Sequence, residues 1–240
     1  MASFQTIQMH HIDDAQTNIL EMALTAEAPL KMMINQKYVT QTMRTPGDEK
    51  ANVLGFLFAT QKISSLRDLK SFSLSSSGDT DTAHVLTHQS PEGMLDYRKD
   101  IKESCISLSS AYRCIQELSN CQPLRAQTKS THGAILFDSS LKRLASKEDV
   151  GRHNALDKVI GQTILDQTIH RAHILVLSSR VSHELMSKVI PTPIQFILSV
   201  SRPTSLAVEI ARKVGIHLAC LSKDGGLFVF TGLNAFRLVE

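Results

Sequence analysis

A chain of 240 residues with 42% hydrophobic and 20% charged side chains can bury a sizeable core, as one large domain or a main domain with a smaller partner. A net charge of +3 is too mild to mark a nucleic-acid-binding protein, and nine Phe and three Tyr without a Trp make a poor base-stacking surface. The amino end lacks a basic stretch followed by an apolar one, no apolar run approaches the roughly 18 residues of a spanning helix, and the four cysteines lack disulfide-framework spacing. The expected address is therefore cytoplasmic, with reduced thiols, no membrane and no nucleic acid.

Residues 1–25 read as a mobile leader or a short helix. From Ala28 to Thr40 the chain reads as a hairpin with Asn35-Gln36 as its turn. Thr45-Pro46-Gly47-Asp48 opens a helix that runs through Val53, Leu54, Phe56 and Leu57. Leu66 to His88 alternates weakly around a polar turn at Ser75 to Asp79, and Ala83 to Thr87 is the better strand. Gln89 to Lys102 reads as a charged loop leading into Cys105, and Ser110 to Leu118 as a helix closed by Gln122-Pro123.

Beyond Ala126, short apolar runs alternate with helical patterns. Strands are expected over Ala134 to Phe137, His173 to Leu177, Ile194 to Val200, Ile216 to Leu221 and Leu227 to Phe230. Helices are expected from Asn154 to about Asp166, from Ser182 to Val189, and from Ser205 to Val214, the last stopped by Gly215. This repetition predicts an α/β domain over 105–240, its largely parallel sheet covered on both faces, beside a smaller N-terminal α+β portion over 26–104.

The densest chemistry lies between Glu148 and Gly161, where Asp149, Arg152, His153, Asn154, Asp157 and Lys158 fall within ten positions. Ala155, Leu156, Val159, Ile160 and Ile164 recur at helical spacing, so a polar turn runs into an amphipathic helix. Free N–H groups at a helix start favour negative charge, more so beside a cation such as Arg152. Two readings follow: an anion or nucleotide site, or a surface-charged helix capped by Asn154. Ligands of open α/β sheets sit outside the carboxyl ends of the strands. If the strands are parallel, Arg152, His153, Arg180, Ser201 and Thr204 converge on one rim, whose arginines and hydroxyls suit phosphate oxygens. The alternative is that each arginine serves only its own turn, the stronger reading for Arg202.

No metal site is expected. No His has a Glu two residues later and no two cysteines are three apart, which excludes a zinc-deaminase centre. His183-Glu184 has Ser187 where a zincin needs its second His, and His170 with His173 lacks a suitably spaced acidic or thiol ligand. Cys114 and Cys121 on one helix face, and Cys220 in a strand, read as small hydrophobes. Cys105, in a polar loop beside Lys102 and Glu103, is either a reactive thiol or an inert loop cysteine.

Together these motifs resemble the FdhD/NarQ family of formate dehydrogenase accessory sulfurtransferases. Glu148 through Lys158 is nearly the whole family signature. Matches in family order precede it at Glu27-Ala28-Pro29-Leu30, Thr45-Pro46-Gly47-Asp48, Gly55-Phe56-Leu57 and His132-Gly133-Ala134. Others follow it at Ser179-Arg180-Val181-Ser182 and Pro203 to Glu209, so the resemblance runs from Glu27 to the end. It implies a sulfur relay, in which a loop Cys-x-x-Cys takes persulfide sulfur from a cysteine desulfurase. The sulfur passes to the molybdenum or tungsten bis-guanine-dinucleotide cofactor destined for apo formate dehydrogenase. It also implies a cytidine-deaminase-like sandwich, usually as a homodimer. Carried onto this chain, the resemblance gives a pocket of Asp149, Arg152, His153, Asn154, Arg180, Ser201 and Thr204 with His132 near it, GDP as a mimic of the ligand, and Cys105 as the sulfur carrier. Arg152 and Arg180 would hold phosphate, and Asp149 would orient Arg152 or accept from a guanine N–H edge.

The chain departs from the family pattern in four places. Cys105-Ile106-Ser107-Leu108 keeps one cysteine of the pair, and Thr128-Lys129-Ser130 loses both glycines of a Thr-Gly-Gly. Ser178-Ser179-Arg180 stands for Ser-Gly-Arg, and Thr60-Gln61 for Glu-Gly. A single thiolate can carry a persulfide but cannot resolve itself as an internal disulfide. The alternative expectation is a cofactor-binding chaperone that has lost sulfur transfer.

Overall fold

The structure, a computed structural model, describes residues 2–88, Tyr97 and residues 104–238. Apart from Tyr97, the loop expected from residue 89 onward lies outside the described residues up to 103. The stretch expected as a leader or short helix is instead an antiparallel ribbon of β1 (Phe4–Ile12) and β2 (Thr17–Thr25). Ile7, Ile12 and Ile19 stay exposed on it, so no buried face imposes a strict alternation that the sequence would display. Thr25 Oγ1 ties the ribbon to Thr128 Oγ1 (2.7 Å) and Ser130 Oγ (2.6 Å).

The expected hairpin is β3 (Ala28–Ile34) and β4 (Lys37–Arg44), turned by Asn35 and Gln36 at φ 49° and 66°, the left-handed pair that suits a two-residue loop. Helix α1 (Glu49–Ala59) follows the Thr45–Asp48 turn. Strands β5 (Leu69–Ser77) and β6 (Thr80–Thr87) complete a four-stranded sheet of order β4-β3-β6-β5.

The second portion opens with the short β7 (Ile106–Ser107), α2 (Leu108–Asn120) and α3 (Pro123–Thr128). Pro123 does not close a helix; it starts one, since the first helical position needs no N–H. Then come β8 (His132–Phe137), β9 (Arg143–Asp149), α4 (Arg152–Leu165), β10 (Ile174–Leu177), α5 (His183–Val189) and β11 (Phe196–Ser199). The chain ends with α6 (Ser205–Val214), β12 (His217–Leu221), β13 (Leu227–Thr231) and β14 (Phe236–Arg237), which pairs with β7. No helix among the described residues is long and apolar enough to cross a membrane.

The six-stranded sheet has the order β13-β12-β11-β10-β8-β9. Only β10–β11 and β11–β12 are parallel; β12–β13, β10–β8 and β8–β9 are antiparallel. The expectation of a largely parallel sheet is thus corrected to a mixed one. The cause is β9, a polar edge strand reached from β8 by a tight turn in which Leu141 N bonds Asp138 O at 3.0 Å. The hairpin reverses the chain, so α4 carries it over to β10 with β8 lying between.

Helices cover both faces of this sheet. Ile135, Val176, Phe196 and Leu198 pack against Ile115 and Leu118 of α2. On the other face Leu136, Leu175 and Ile197 share one cluster with α1, α4 and Leu30, Met32 and Val85 of the four-stranded sheet. Helices α1 and α4 therefore lie between two sheets. They touch backbone to backbone: a Cβ on Gly161 would stand 1.8 Å from the Ala51 carbonyl oxygen, and one on Gly55 1.8 Å from that of Asp157. Ten of the fourteen residues of α4 are buried, so it is a central helix, against the alternative reading of a surface-charged one. Its polar side chains must find partners inside the protein.

Candidate functional site

Strand register brings the expected rim together at the level of the backbone. His132 pairs with Asp149, Ala134 with Leu177, and Leu177 with Ser199, so the chain leaves β9, β10 and β11 on the edge where β8 begins. Helices α4, α5 and α6 all start from that edge. From β9 to β11 the rim spans three interstrand steps, about 14 Å at roughly 4.8 Å each. Gly133 N donates to Ser178 Oγ (2.9 Å), and Ser201 Oγ to the Ser178 carbonyl (3.5 Å). Thr204 caps α6, its Oγ1 accepting from Ala207 N at 3.3 Å.

The side chains divide into two groups. Asp149 and Asn154 belong to the frame and not to a ligand. Asp149 Oδ1 accepts from Gly151 N (2.8 Å) and Asn154 Nδ2 (3.1 Å), while Oδ2 accepts from Thr45 N (3.1 Å) and pairs with Lys158 Nζ (2.7 Å). Its four acceptor positions are taken, which corrects the expectation that it serves Arg152 or a guanine edge. Asn154 Nδ2 also donates to the Met43 carbonyl (2.6 Å) and its Oδ1 accepts from Thr42 Oγ1 (3.0 Å), riveting α4 to β4. The cap position is held by Gly151, whose added Cβ would lie 2.9 Å from Asn154 Nδ2, so this glycine makes room for the rivet. Asp157 is paired with Lys188 at 2.6 Å, and its carboxyl is pushed up to about 6 by burial, with Lys188 opposing and Asp149 adding.

Arg152, His132 and Arg180 remain available. Arg152 is half-buried; its Nε is covered and has no hydrogen-bond partner among the described residues. His132 is half-buried, its imidazole held below the ordinary value by burial, then by the guanidiniums of Arg125 and Arg152, with Asp149 opposing. Arg180 is exposed. His153 turns aside to Glu184 (Nε2–Oε2 3.0 Å), joining α4 to α5. Arg202 stacks over Phe228 of β13 at 5.1 Å, so it reaches a separate strand and does not serve only its own turn. Arg125 is a rim cation that the sequence did not reveal: its Nη1 donates to the Thr131 carbonyl (2.7 Å), just before His132. It lies on α3, unseen because Pro123 read as a stop.

The thiols lie elsewhere. Cys105 is exposed, its Sγ 3.9 Å from the Asn234 carbonyl, and the neighbouring Ser104 Oγ donates to Gln195 Oε1 at 2.6 Å. Gln195 precedes β11, whereas the rim follows it, so five residues at roughly 3.3 Å put about 16 Å between the two edges. Cys105 and the rim are not brought together. Cys114 is inert, its thiol pushed up to about 11 by burial, and burial raises Cys220 too. Cys121 departs from the small-hydrophobe reading: it is half-buried and its Sγ accepts from Arg143 Nη1 at 2.7 Å.

Burial is the first cause that lowers four imidazoles, His132, His153, His173 and His217. In the unfolded chain each takes its proton near the ordinary value of about 6.5. Below that pH the unfolded chain binds protons that the folded chain refuses, so stability falls as pH drops through the lowered values. Asp157, raised to about 6, acts in the opposite sense but is one group against four. The melting temperature should therefore decrease from about pH 7.5 to pH 5, and a flat or rising profile would mean the imidazoles are not held neutral.

The model of the FdhD/NarQ family matches residues 25–106 and 88–237. The chain is 31% identical over 247 residues to the "Sulfur carrier protein FdhD" of Sulfolobus acidocaldarius, spanning 94% of this chain and 95% of that relative. It is 27% identical over 264 residues to the protein of the same name from Streptomyces coelicolor, covering 95% and 93%. The fold matches a crystal structure from Desulfotalea psychrophila, described as a formate dehydrogenase accessory protein. The TM-score is 0.81 over 97% of this chain and 99% of that one, at 22% identity. Signature, full-length match and shared architecture agree, and the chain belongs to the FdhD/NarQ family.

Proposed function

We propose that this chain is a sulfur carrier for formate dehydrogenase, with a molybdenum or tungsten bis-guanine-dinucleotide cofactor as its cargo. One observation carries the nucleotide half of this reading: the half-buried Arg152, its Nε covered and unpartnered among the described residues, beside His132 at a rim where helices begin. A guanidinium with no ion pair among the described residues, at a helix N-terminus, suits a phosphate. Arg180, Ser201 and Thr204 extend the same edge. The sulfur half rests on Cys105, an exposed thiol in a family whose relatives bear the name sulfur carrier. Its thiolate attacks the outer sulfur of a persulfide on a cysteine desulfurase. The S–S bond there breaks, the desulfurase cysteine leaves as thiolate, and Cys105 keeps the persulfide.

The reading includes a cytosolic homodimer, supported by the exposed Ile7, Ile12 and Ile19 of the β1–β2 ribbon. It also includes a cytidine-deaminase-like sheet, supported by the β8–β9 hairpin beside parallel β10, β11 and β12. The distance between Cys105 and the rim favours a second reading, a chaperone that grips the cofactor without passing sulfur. Desulfurase-dependent persulfide labelling and GDP calorimetry separate the two. Cys105→Ser should abolish labelling and leave GDP affinity unchanged, while Arg152→Ala should weaken GDP roughly ten- to hundredfold. Wild-type protein that binds GDP but is never labelled is the chaperone. An Arg152→Ala variant with unaltered affinity removes the rim from the function.

A further inference from the structure

We infer that His217 is a positioning residue for sulfur acceptance: its imidazole seats Gly232, and through that glycine it holds the Asn234 carbonyl against the Cys105 thiol. The inference deepens the proposed sulfur-carrier role of Cys105 and rests on it. Strand β13 ends at Thr231, whose hydroxyl donates to the Ile216 carbonyl (2.6 Å) and accepts from Leu218 N (2.9 Å). The end of β13 is thereby bolted to the chain on both sides of His217. The next residue, Gly232, turns the backbone at φ 70°, a left-handed conformation that disfavours a side chain. It also lies against the imidazole: an added Cβ would stand 1.9 Å from Nδ1 and 2.8 Å from Cγ of His217. Ala235 N then bonds the Gly232 carbonyl (2.9 Å), closing a single turn that brings the Asn234 carbonyl to 3.9 Å from Cys105 Sγ.

The contacts close a circuit around the thiol. On one side of Cys105, Ser104 Oγ donates to Gln195 Oε1 (2.6 Å), and the Gln195 carbonyl accepts from His217 N (2.8 Å). On the other side Ile106 pairs with Phe236, whose ring meets Phe196 edge-on at 5.6 Å, and Phe196 lies 4.7 Å from the His217 ring. Both neighbours of the cysteine lead back to His217, and the turn from Gly232 to Asn234 is the third arm. The imidazole also borders a cavity of about 380 Å³, lined by Arg212, Gly215 and Leu233 among others. Without the ring, Gly232 would face an enlarged void and the turn would lose its seat. In the resting thiol, S–H donates to the Asn234 carbonyl. Once the proton has passed to water, the same oxygen repels the thiolate and directs it to the exposed side, where a donor persulfide arrives. Attack needs the sulfur in line with the S–S bond that breaks, so a misplacement of about 1 Å slows it by up to about a hundredfold.

The test compares two rates in the full chain: persulfide acceptance from a cysteine desulfurase, and alkylation of Cys105 by iodoacetamide, followed on its own peptide. His217→Ala and Gly232→Ala should each slow acceptance roughly ten- to hundredfold. Alkylation should change less than about threefold, because a small reagent reaches the exposed thiol from many directions. The double variant puts a methyl where the ring stood, so it should regain most of the acceptance that either single variant loses. Cys114 and Cys220 are buried and should stay unalkylated throughout. Single variants that accept persulfide at the wild-type rate, or a double variant slower than both, overturn the positioning role and leave Cys105 as the carrier. Alkylation of Cys114 or Cys220 in the single variants assigns their losses to unfolding and overturns it likewise. Wild-type protein that is never labelled overturns the sulfur-carrier reading and this inference with it.

Discussion

Lys158→Met is expected to destabilise the folded chain by about 3–5 kcal/mol, although the residue closes the family signature. Lys158 and Asp149 are 2% and 0% exposed, and their 2.7 Å contact is the only ion pair of that carboxylate among the described residues. Lys158 Nζ also donates to the Thr45 carbonyl at 2.8 Å, so Met leaves both a buried carboxylate and a backbone oxygen without their donor. Chemical unfolding measures the loss. At a temperature where the variant is folded, its GDP affinity should match wild type within a few-fold, since the pair frames the rim and does not line it. A loss below about 1 kcal/mol would contradict the buried ion pair. The double variant Asp149→Asn with Lys158→Met should recover part of the stability, because no buried charge is then left alone.

Gly161→Ala should cost about 3 kcal/mol or more. Helix propensity alone predicts the reverse, a gain of up to about 1 kcal/mol for alanine in mid-helix. The new methyl would stand 1.8 Å from the Ala51 carbonyl oxygen and 2.8 Å from Gly55 N, and backbone cannot move aside as a side chain can. The opposing signs make the melting temperature decisive: a rise would mean that α1 and α4 are not held in backbone contact. Gly55→Ala meets the carbonyl of Asp157 and should behave alike.

Much of the architecture was readable from residue patterns, and the gaps have physical causes. The hairpin at Asn35-Gln36, the helix after Thr45–Asp48 and the order of elements from α4 to β13 follow from turn chemistry and apolar spacing. Strand β9 did not, because Arg-Leu-Ala-Ser-Lys-Glu-Asp lies at a sheet edge and buries few of its side chains. Missing it hid the reversal, and apolar runs do not encode strand direction. The site was readable in place but not in role. Asp149, Asn154 and Lys158 look like ligand groups in a motif, yet they satisfy one another where the end of β9 meets a helix surrounded by protein. Nothing in their spacing separates a polar network that holds a frame from one that meets a ligand. Arg125 illustrates the converse, since only the folded loop brings it beside His132.

The pairing of β7 with β14 sets a timetable for biosynthesis. Phe236 closes on Ile106, and Asn234 meets the Cys105 thiol, so part of the wall around that thiol comes from chain made 129 residues after it. A nascent polypeptide not yet extended to Asn234 would present Cys105 before its surroundings exist, and on the proposed reading charging with sulfur should become efficient only once that later stretch has been made.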